Sequence, residues 1–144
     1  MHIPARWSPW RAVRERPWLR VAFVDMPKGV WGATDGRRTI WLHTQLTQAE
    51  RRSTLAHELA HHDLGHEGCQ PPAQEERARA RAARLLLPDI TGVAEALAWA
   101  HSMHEAAEAL WVDEDTLAAR LQHLTPGERR VVVERMERGS SWGT

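Results

Sequence analysis

The chain has 144 residues, of which 42% are hydrophobic and 26% are charged, a composition typical of a globular domain. Lysine plus arginine and aspartate plus glutamate number 19 each, which disfavours a protein that binds nucleic acid mainly through phosphates. One cysteine excludes an internal disulfide, and no apolar run approaches the length of a membrane span.

The length favours a single domain over residues 1–144. The N-terminal residues contain no apolar segment typical of a signal peptide. We therefore expect a cytoplasmic protein.

The first third of the chain predicts a short helix followed by a small sheet. Ser8 and Pro9 suit the N-cap and first position of a helix that runs to about Arg16. Residues 18–25 are rich in Val, Phe and Trp and predict a strand. Residues 29–43 predict a hairpin that turns at Asp35-Gly36. Together these segments predict a small antiparallel sheet of about three strands.

The remaining chain predicts helices. Thr47-Gln-Ala-Glu50 forms a capping box that starts a helix running to about Gly65. Further helices are predicted from Pro71 to before Pro88, and at 91–101, 103–111 and 114–124. A second capping box at Thr125 starts a last helix to about Arg138. This order predicts an α+β fold with a core of about 9–124 and a helical extension at 125–138.

The segment "HELAH" at 57–61 has the form H-E-x-x-H. On a helix, His57 and His61 lie one above the other and can reach one ion, and zinc accepts neutral imidazole. Glu58 lies beside the pair and is suitably placed to take a proton from water at the metal. Such short matches also occur by chance in polar helices, but the capping box and the periodic apolar positions favour a metal site here.

A second pair, His62 and His66, has the same spacing as the first. At about 100° per residue, it lies about 140° from the first pair. Ala56 and Ala60 belong to an apolar arc that borders His57 and His61 instead. We therefore interpret His62 and His66 as part of a solvated face, and Asp63 as a surface residue.

A metal site needs a third ligand, and the next helix offers two carboxylates. Glu75 falls in the apolar arc of Ala78 and Ala82, whereas Glu76 lies about 100° round the helix. A carboxylate on a packing face is costly unless it is paired or metal-bound, so we predict Glu75. Cys69, in the preceding loop, remains an alternative as a thiolate ligand.

The stretch "TLAHELAHHDLGH", followed by "EERARARAARLLLP", resembles the ImmA/IrrE family of zinc metallopeptidases, and the similarity covers about residues 9–124. Many members have asparagine and phenylalanine where this chain has Arg79 and Arg81. The resemblance implies a zincin-like fold with Zn²⁺ as cofactor. It also implies that Glu58 is the general base and that the metal ligands are His57, His61 and Glu75.

The resemblance further implies a function in regulatory proteolysis. Family members relieve repression by cutting, or otherwise inactivating, a helix-turn-helix repressor, commonly in prophages and mobile elements. We therefore expect a site-specific zinc metallo-endopeptidase whose partner is such a repressor. No direct nucleic-acid partner and no membrane partner are expected.

Two further features concern the mechanism. The arm 38–43 is a candidate edge strand to which an extended substrate could pair. Tyrosine often stabilises the oxyanion in such sites, but this chain has no tyrosine, so histidine or arginine must serve if anything does. The candidates are His43, His101, His104 and His123, and for each of them an ordinary surface histidine is the alternative interpretation.

Two alternatives to a peptidase remain. Residues 103–124 have helix-turn-helix spacing, but the second helix starts with Asp113, Glu114 and Asp115, which would repel phosphates. A helical pair that covers the core is the preferred interpretation of this segment. The other alternative is a catalytically silent zinc-binding protein that binds and displaces a repressor.

Overall fold

Seven helices and three strands follow one another in residues 7–66 and 70–139, the part of the chain that this computed structural model describes. The elements are α1 (Pro9–Arg14), β1 (Arg20–Val24), β2 (Gly32–Thr34), β3 (Thr39–His43), α2 (Gln48–Asp63), α3 (Pro72–Leu86), α4 (Ile90–Trp99), α5 (Met103–Ala109), α6 (Glu114–Gln122) and α7 (Pro126–Glu137). The α+β class predicted from the sequence is confirmed.

The predicted start signals are present at the helix ends. Thr47 and Glu50 form a complete capping box at the start of α2, and Thr125 and Glu128 form another at the start of α7. At the start of α1 the Ser8 hydroxyl accepts from a backbone N–H. These bonds satisfy N–H groups that the first helical turn leaves without partners.

The sheet is mixed, not wholly antiparallel as predicted. Its strand order is β1-β3-β2, with β2 and β3 joined as the predicted hairpin and β1 parallel to β3. The central strand β3 buries Ile40 and Leu42 completely, and the connection 25–38 includes β2 itself. Residues 38–43 therefore do not form an edge strand, because the edges of the sheet are β1 and β2.

The helix α2 packs against the sheet with one of its faces. Leu55 and Leu59 on this face share a buried cluster with Ile40 and Leu42 of β3. The core between α2 and the sheet is thus aliphatic, and its contacts hold α2 in a fixed position over the strands.

A second face of α2, about 100° round the helix, packs against α3. Ala56 and Ala60 belong to a second buried cluster together with Ala78 and Ala82 of α3. Small side chains at a helix contact allow the two helix axes to come close. The sequence therefore brings α2 and α3 together along one alanine-lined contact.

The helix α7 contributes no fully buried residue of its own. It is joined to the rest of the fold by ion pairs from Glu128 to Arg120 and Arg84. The Arg120 side chain is only 1% exposed, and its Nε also donates to the Leu87 carbonyl at 2.7 Å. Hydrogen bonds from Arg120 and Arg84 hold the pKa of Glu128 well below its usual range.

None of the helices that the structure describes combines the length and the hydrophobicity that a bilayer crossing needs.

We predict that Glu128→Gln lowers the free energy of unfolding at pH 7 by about 3 kcal/mol, the scale for losing one partner of a buried ion pair. The pKa of Glu128 is lower in the folded than in the unfolded state. Its contribution to the free energy of unfolding is therefore complete above the unfolded-state pKa, about 4.3, and is lost progressively as the pH falls below that value. The difference between wild type and variant should therefore shrink in urea unfolding at pH 3.

The matched control is Glu134→Gln, which changes an exposed glutamate of the same helix. It should alter the free energy of unfolding by less than about 0.5 kcal/mol. The role assigned to this carboxylate would be contradicted if the free energies of unfolding of wild type and Glu128→Gln differed by the same amount at pH 7 and at pH 3.

Candidate metal centre

Three donor atoms meet where α2 faces α3. His57 Nε2, His61 Nε2 and Glu75 Oε2 lie 3.1 Å from one another along all three edges of a triangle. The two imidazoles are one helical turn apart on α2, and the carboxylate comes from the first turn of α3. The structure thus brings together the three side chains that the sequence analysis predicted as a ligand set.

Hydrogen bonds satisfy this triangle poorly, because either one N–H is shared between two acceptors or two donors face each other. If both Nε2 atoms donated to Glu75, the two donor nitrogens would face each other at 3.1 Å with no acceptor between them. A single cation satisfies all three atoms, and adjacent ligands of a tetrahedral zinc ion with bonds of about 2.0–2.1 Å lie about 3.3 Å apart. This group could therefore hold a metal ion.

Protonation also favours a metal at this group. Burial, followed by the neighbouring His61, lowers the pKa of His57 to about 4. His57 is therefore neutral near pH 7, which is the form that binds a metal. His61 is 4% exposed, so the donor group lies at the inner end of the site.

His66 contacts the donor group from outside. Its Nδ1 lies 2.9 Å from the Nδ1 of His61. When the Nδ1–H of His61 donates across this contact, the lone pair of its Nε2 is directed at the triangle. Such outer partners fix the tautomer and the ring orientation of a ligating histidine.

The interpretation of His62 and His66 as a solvated face was therefore wrong. The His62 side chain is only 11% exposed, and its Nε2 lies 2.9 Å from the Arg37 carbonyl oxygen. The helical wheel of α2 shows one apolar arc, but the helix packs on two faces and so leaves little surface for solvent. Asp63 does lie at the surface, where it forms an ion pair with Arg16 at 2.9 Å.

The other candidates for a third ligand do not join the group. Glu76 turns away from it and pairs with His123, with 2.7 Å between Oε1 and Nε2. Cys69 lies outside the described residues. Among the carboxylates of α3, only Glu75 reaches the two histidines.

Glu58 lies on α2 beside the triangle and is 7% exposed. Burial, followed by the charge of Glu75, raises the pKa of Glu58 to about 7. A carboxylate with a pKa near neutrality can accept and return a proton during a reaction. Gly32 of β2 passes close by, and a Cβ there would lie 2.6 Å from a methyl carbon of Thr54 and 3.3 Å from the Glu58 Cγ.

A cavity of about 510 Å³ opens beside this group. His57, Glu58 and Glu75 line its inner end, and residues 29–32 before and within β2 line one wall. The start of α6 contributes to the lining with Asp113, whose backbone N–H donates to the buried Ser53 hydroxyl at 3.0 Å. The group is therefore accessible to a molecule of peptide size.

The four histidines considered as oxyanion stabilisers are not among the described residues that line this cavity. His43 accepts a bond from the backbone N–H of Met26. His123 pairs with Glu76, His104 contacts Glu108, and His101 is exposed. The cavity instead contains an arginine, Arg79, which the sequence analysis noted only as a departure from the family pattern.

Comparison with known protein families gives one match. A family model described as the IrrE N-terminal-like domain, Peptidase M78, matches residues 19–124. This range includes the sheet, α2 with its two histidines, and α3 with Glu75. No curated protein and no solved structure matches the chain significantly.

We predict that the purified protein binds about one divalent metal ion per chain, and that His57→Ala and Glu75→Ala abolish this binding because each removes a corner of the triangle. The measurement is metal content by mass spectrometry after dialysis against trace metal. Glu76→Ala is the matched control because it removes the neighbouring carboxylate of the same helix, and it should keep the full stoichiometry. Equal metal loss in Glu75→Ala and Glu76→Ala would contradict the site.

We also predict that His66→Ala weakens metal affinity by about 10- to 100-fold, the usual cost of losing an outer partner of a ligating histidine. Affinity is measured by competition with a fluorescent chelator. His62→Ala, four residues before it and bonded to Arg37 instead, is the control and should change the affinity little. An unchanged affinity in His66→Ala would show that the contact with His61 does not orient the ring.

Proposed function

Because the chain belongs to the IrrE N-terminal-like domain family of peptidases, we propose that it is a zinc-dependent metallo-endopeptidase. The observation that carries the proposal is the triangle of His57, His61 and Glu75, with Glu58 beside it at the inner end of an open cavity. Two imidazoles and one carboxylate are a common donor set of catalytic zinc sites, which keep one position open.

In this proposal His57, His61 and Glu75 hold the zinc ion. When bound, the ion supplies Lewis acidity that polarises a peptide carbonyl and makes water more acidic. His57 is neutral near pH 7 because burial lowers its pKa to about 4, and a neutral imidazole is the form that binds zinc. The spacing of the three side chains matches a single ion better than it matches a hydrogen-bond network.

Glu58 is the general base. Its carboxylate accepts a proton from the water molecule whose oxygen attacks the carbonyl carbon of the scissile bond. It then returns this proton to the nitrogen as the C–N bond breaks, so that the products are a carboxylic acid and an amine. The buried position of Glu58 suits both steps, because a pKa near 7 makes the carboxylate a better proton acceptor and still allows its acid form to protonate an amine.

The substrate lies in an extended conformation along β2. This strand is an edge of the sheet and lines the cavity with Gly32. An extended peptide can add to such an edge through backbone hydrogen bonds. Edge pairing places a peptide bond beside Glu58, because Gly32 approaches that residue closely. This assignment replaces the arm 38–43, which is the central strand.

The substrate proposed here is a helix-turn-helix repressor of a prophage or mobile element, and the site of action is the cytoplasm. The support is the resemblance of the two motif helices to the ImmA/IrrE family. The protein then acts as a site-specific regulatory peptidase that removes a repressor by cutting it.

We predict that Glu58→Gln lowers peptide cleavage by at least about 10²-fold, since general-base catalysis contributes about 10²- to 10⁴-fold, while metal content stays at the wild-type level. Cleavage is measured on a peptide library prepared from a digested proteome, with new termini identified by mass spectrometry. Glu76→Gln, a glutamate outside the site, is the matched control and should cleave as the wild type does.

Two results would contradict the proposal. One is a zinc-loaded Glu58→Gln variant that cleaves at the wild-type rate. The other is a zinc-loaded Glu58→Gln variant that still relieves repression by the helix-turn-helix repressor proposed as substrate, which would indicate displacement without cleavage.

A further inference from the structure

Arg79 lies one helical turn after Glu75 on α3 and lines the same cavity as His57, Glu58 and Glu75. Residues four apart on a helix share a face, so the guanidinium extends along the cavity wall on the side of the donor group. Arg77 and Arg81 of the same helix are exposed instead. Arg79 therefore differs from its neighbouring arginines in facing the site.

Arg79 is the only lysine or arginine among the described residues that line this cavity. The other charged side chains of the lining, apart from the histidine, are acids: Glu58, Glu75, Asp113 and Asp115. Among these residues, Arg79 alone can therefore offer a positively charged side chain to negative charge that develops on a bound molecule.

The Arg79 guanidinium is loosely held. Its side chain is 43% exposed, and its contact with Glu76 is 3.6 Å long, beyond the normal length of a hydrogen bond. Its positive charge also contributes, after burial and His61, to the lowered pKa of His57. The guanidinium can therefore turn towards a bound molecule with little loss of existing contacts.

Hydrolysis of a peptide bond places negative charge on the carbonyl oxygen in the transition state. Preorganised N–H donors that meet this charge are often the largest single contribution to catalysis. The chain has no tyrosine, and among the described residues the histidines outside the donor group do not line this cavity. We propose that Arg79 is the catalytic residue that stabilises the oxyanion, an inference that rests on the proposed peptidase function.

In this step the oxygen of water bonds to the carbonyl carbon, and the π electrons of the carbonyl move onto its oxygen. Arg79 donates N–H bonds to that oxygen and keeps its own protons. As the C–N bond breaks, the carbonyl double bond forms again and Glu58 returns the proton to the amine. The fork of guanidinium donors suits this role because it is rigid and remains charged.

The experiment compares Arg79→Gln and Arg79→Lys with Arg81→Gln, a control that changes an exposed arginine two residues away. Arg79→Gln should lower kcat on a cleaved library peptide by about 10²- to 10³-fold while KM stays within about threefold. Arg79→Lys keeps the charge and should recover part of kcat, and Arg81→Gln should match the wild type. Metal content should be equal in all four proteins.

A binding measurement provides a readout that does not depend on turnover. Phosphoramidon has a tetrahedral phosphoryl anion on a dipeptide and mimics the transition state, whereas leucine hydroxamate binds metal through a planar group. Titration calorimetry on the zinc-loaded proteins should show that Arg79→Gln loses about 10²-fold or more in affinity for phosphoramidon and about threefold or less for the hydroxamate.

Three outcomes overturn the role of Arg79: equal loss for the two probes, no phosphoramidon binding by the wild type, or a rise in KM with kcat unchanged. The last would make Arg79 a residue that selects acidic side chains of the substrate. Failure of the peptidase proposal can be distinguished from failure of the Arg79 proposal. In the former case Glu58→Gln and the wild type would cleave equally, whatever the Arg79 variants show.

Discussion

The burial of α2 on two faces, about 100° apart around the helix axis, is the constraint on which the rest of the structure depends. Leu55 and Leu59 fix the helix to the sheet, and Ala56 and Ala60 fix it to α3. The strip between these faces carries His57, Glu58 and His61. Because both neighbouring faces are packed, these polar side chains are held at the boundary between core and cavity. Precise placement of a site requires such support from packed elements.

The alanine contact between α2 and α3 has an electrostatic consequence. It brings Glu75 to within 3.1 Å of both histidines and buries ionisable groups that would otherwise be hydrated. Burial disfavours charge, so the pKa of His57 falls and that of Glu58 rises. A bound cation would compensate this cost, since metal binding contributes directly to the stability of the folded state. In this arrangement the helix contact that builds the core also builds the site.

Local periodicity predicted much of this architecture, and long-range pairing accounts for most of the errors. The caps at Thr47 and Thr125 and the inward position of Glu75 follow from contacts within one helix or its first turn. The strand order depends on how β1 meets β3 across the connection 25–38, and no local pattern encodes that choice. The position of His66 depends on the turn after α2, which carries its ring back to His61.

The described lining of the cavity carries four acids and one arginine, and helix termini explain the two acids on the α6 side. On the α6 side, Asp113 is the N-cap, whose carboxylate accepts the Thr116 N–H, and Asp115 follows in the first turn. Acids are favourable at a helix N-terminus, so local helix chemistry alone explains why they stand there. Arg79 lies in the middle of α3, where no such terminal effect requires a cation. No helix terminus explains its charge in the cavity, and the proposed stabilisation of the oxyanion gives that charge a role at the site.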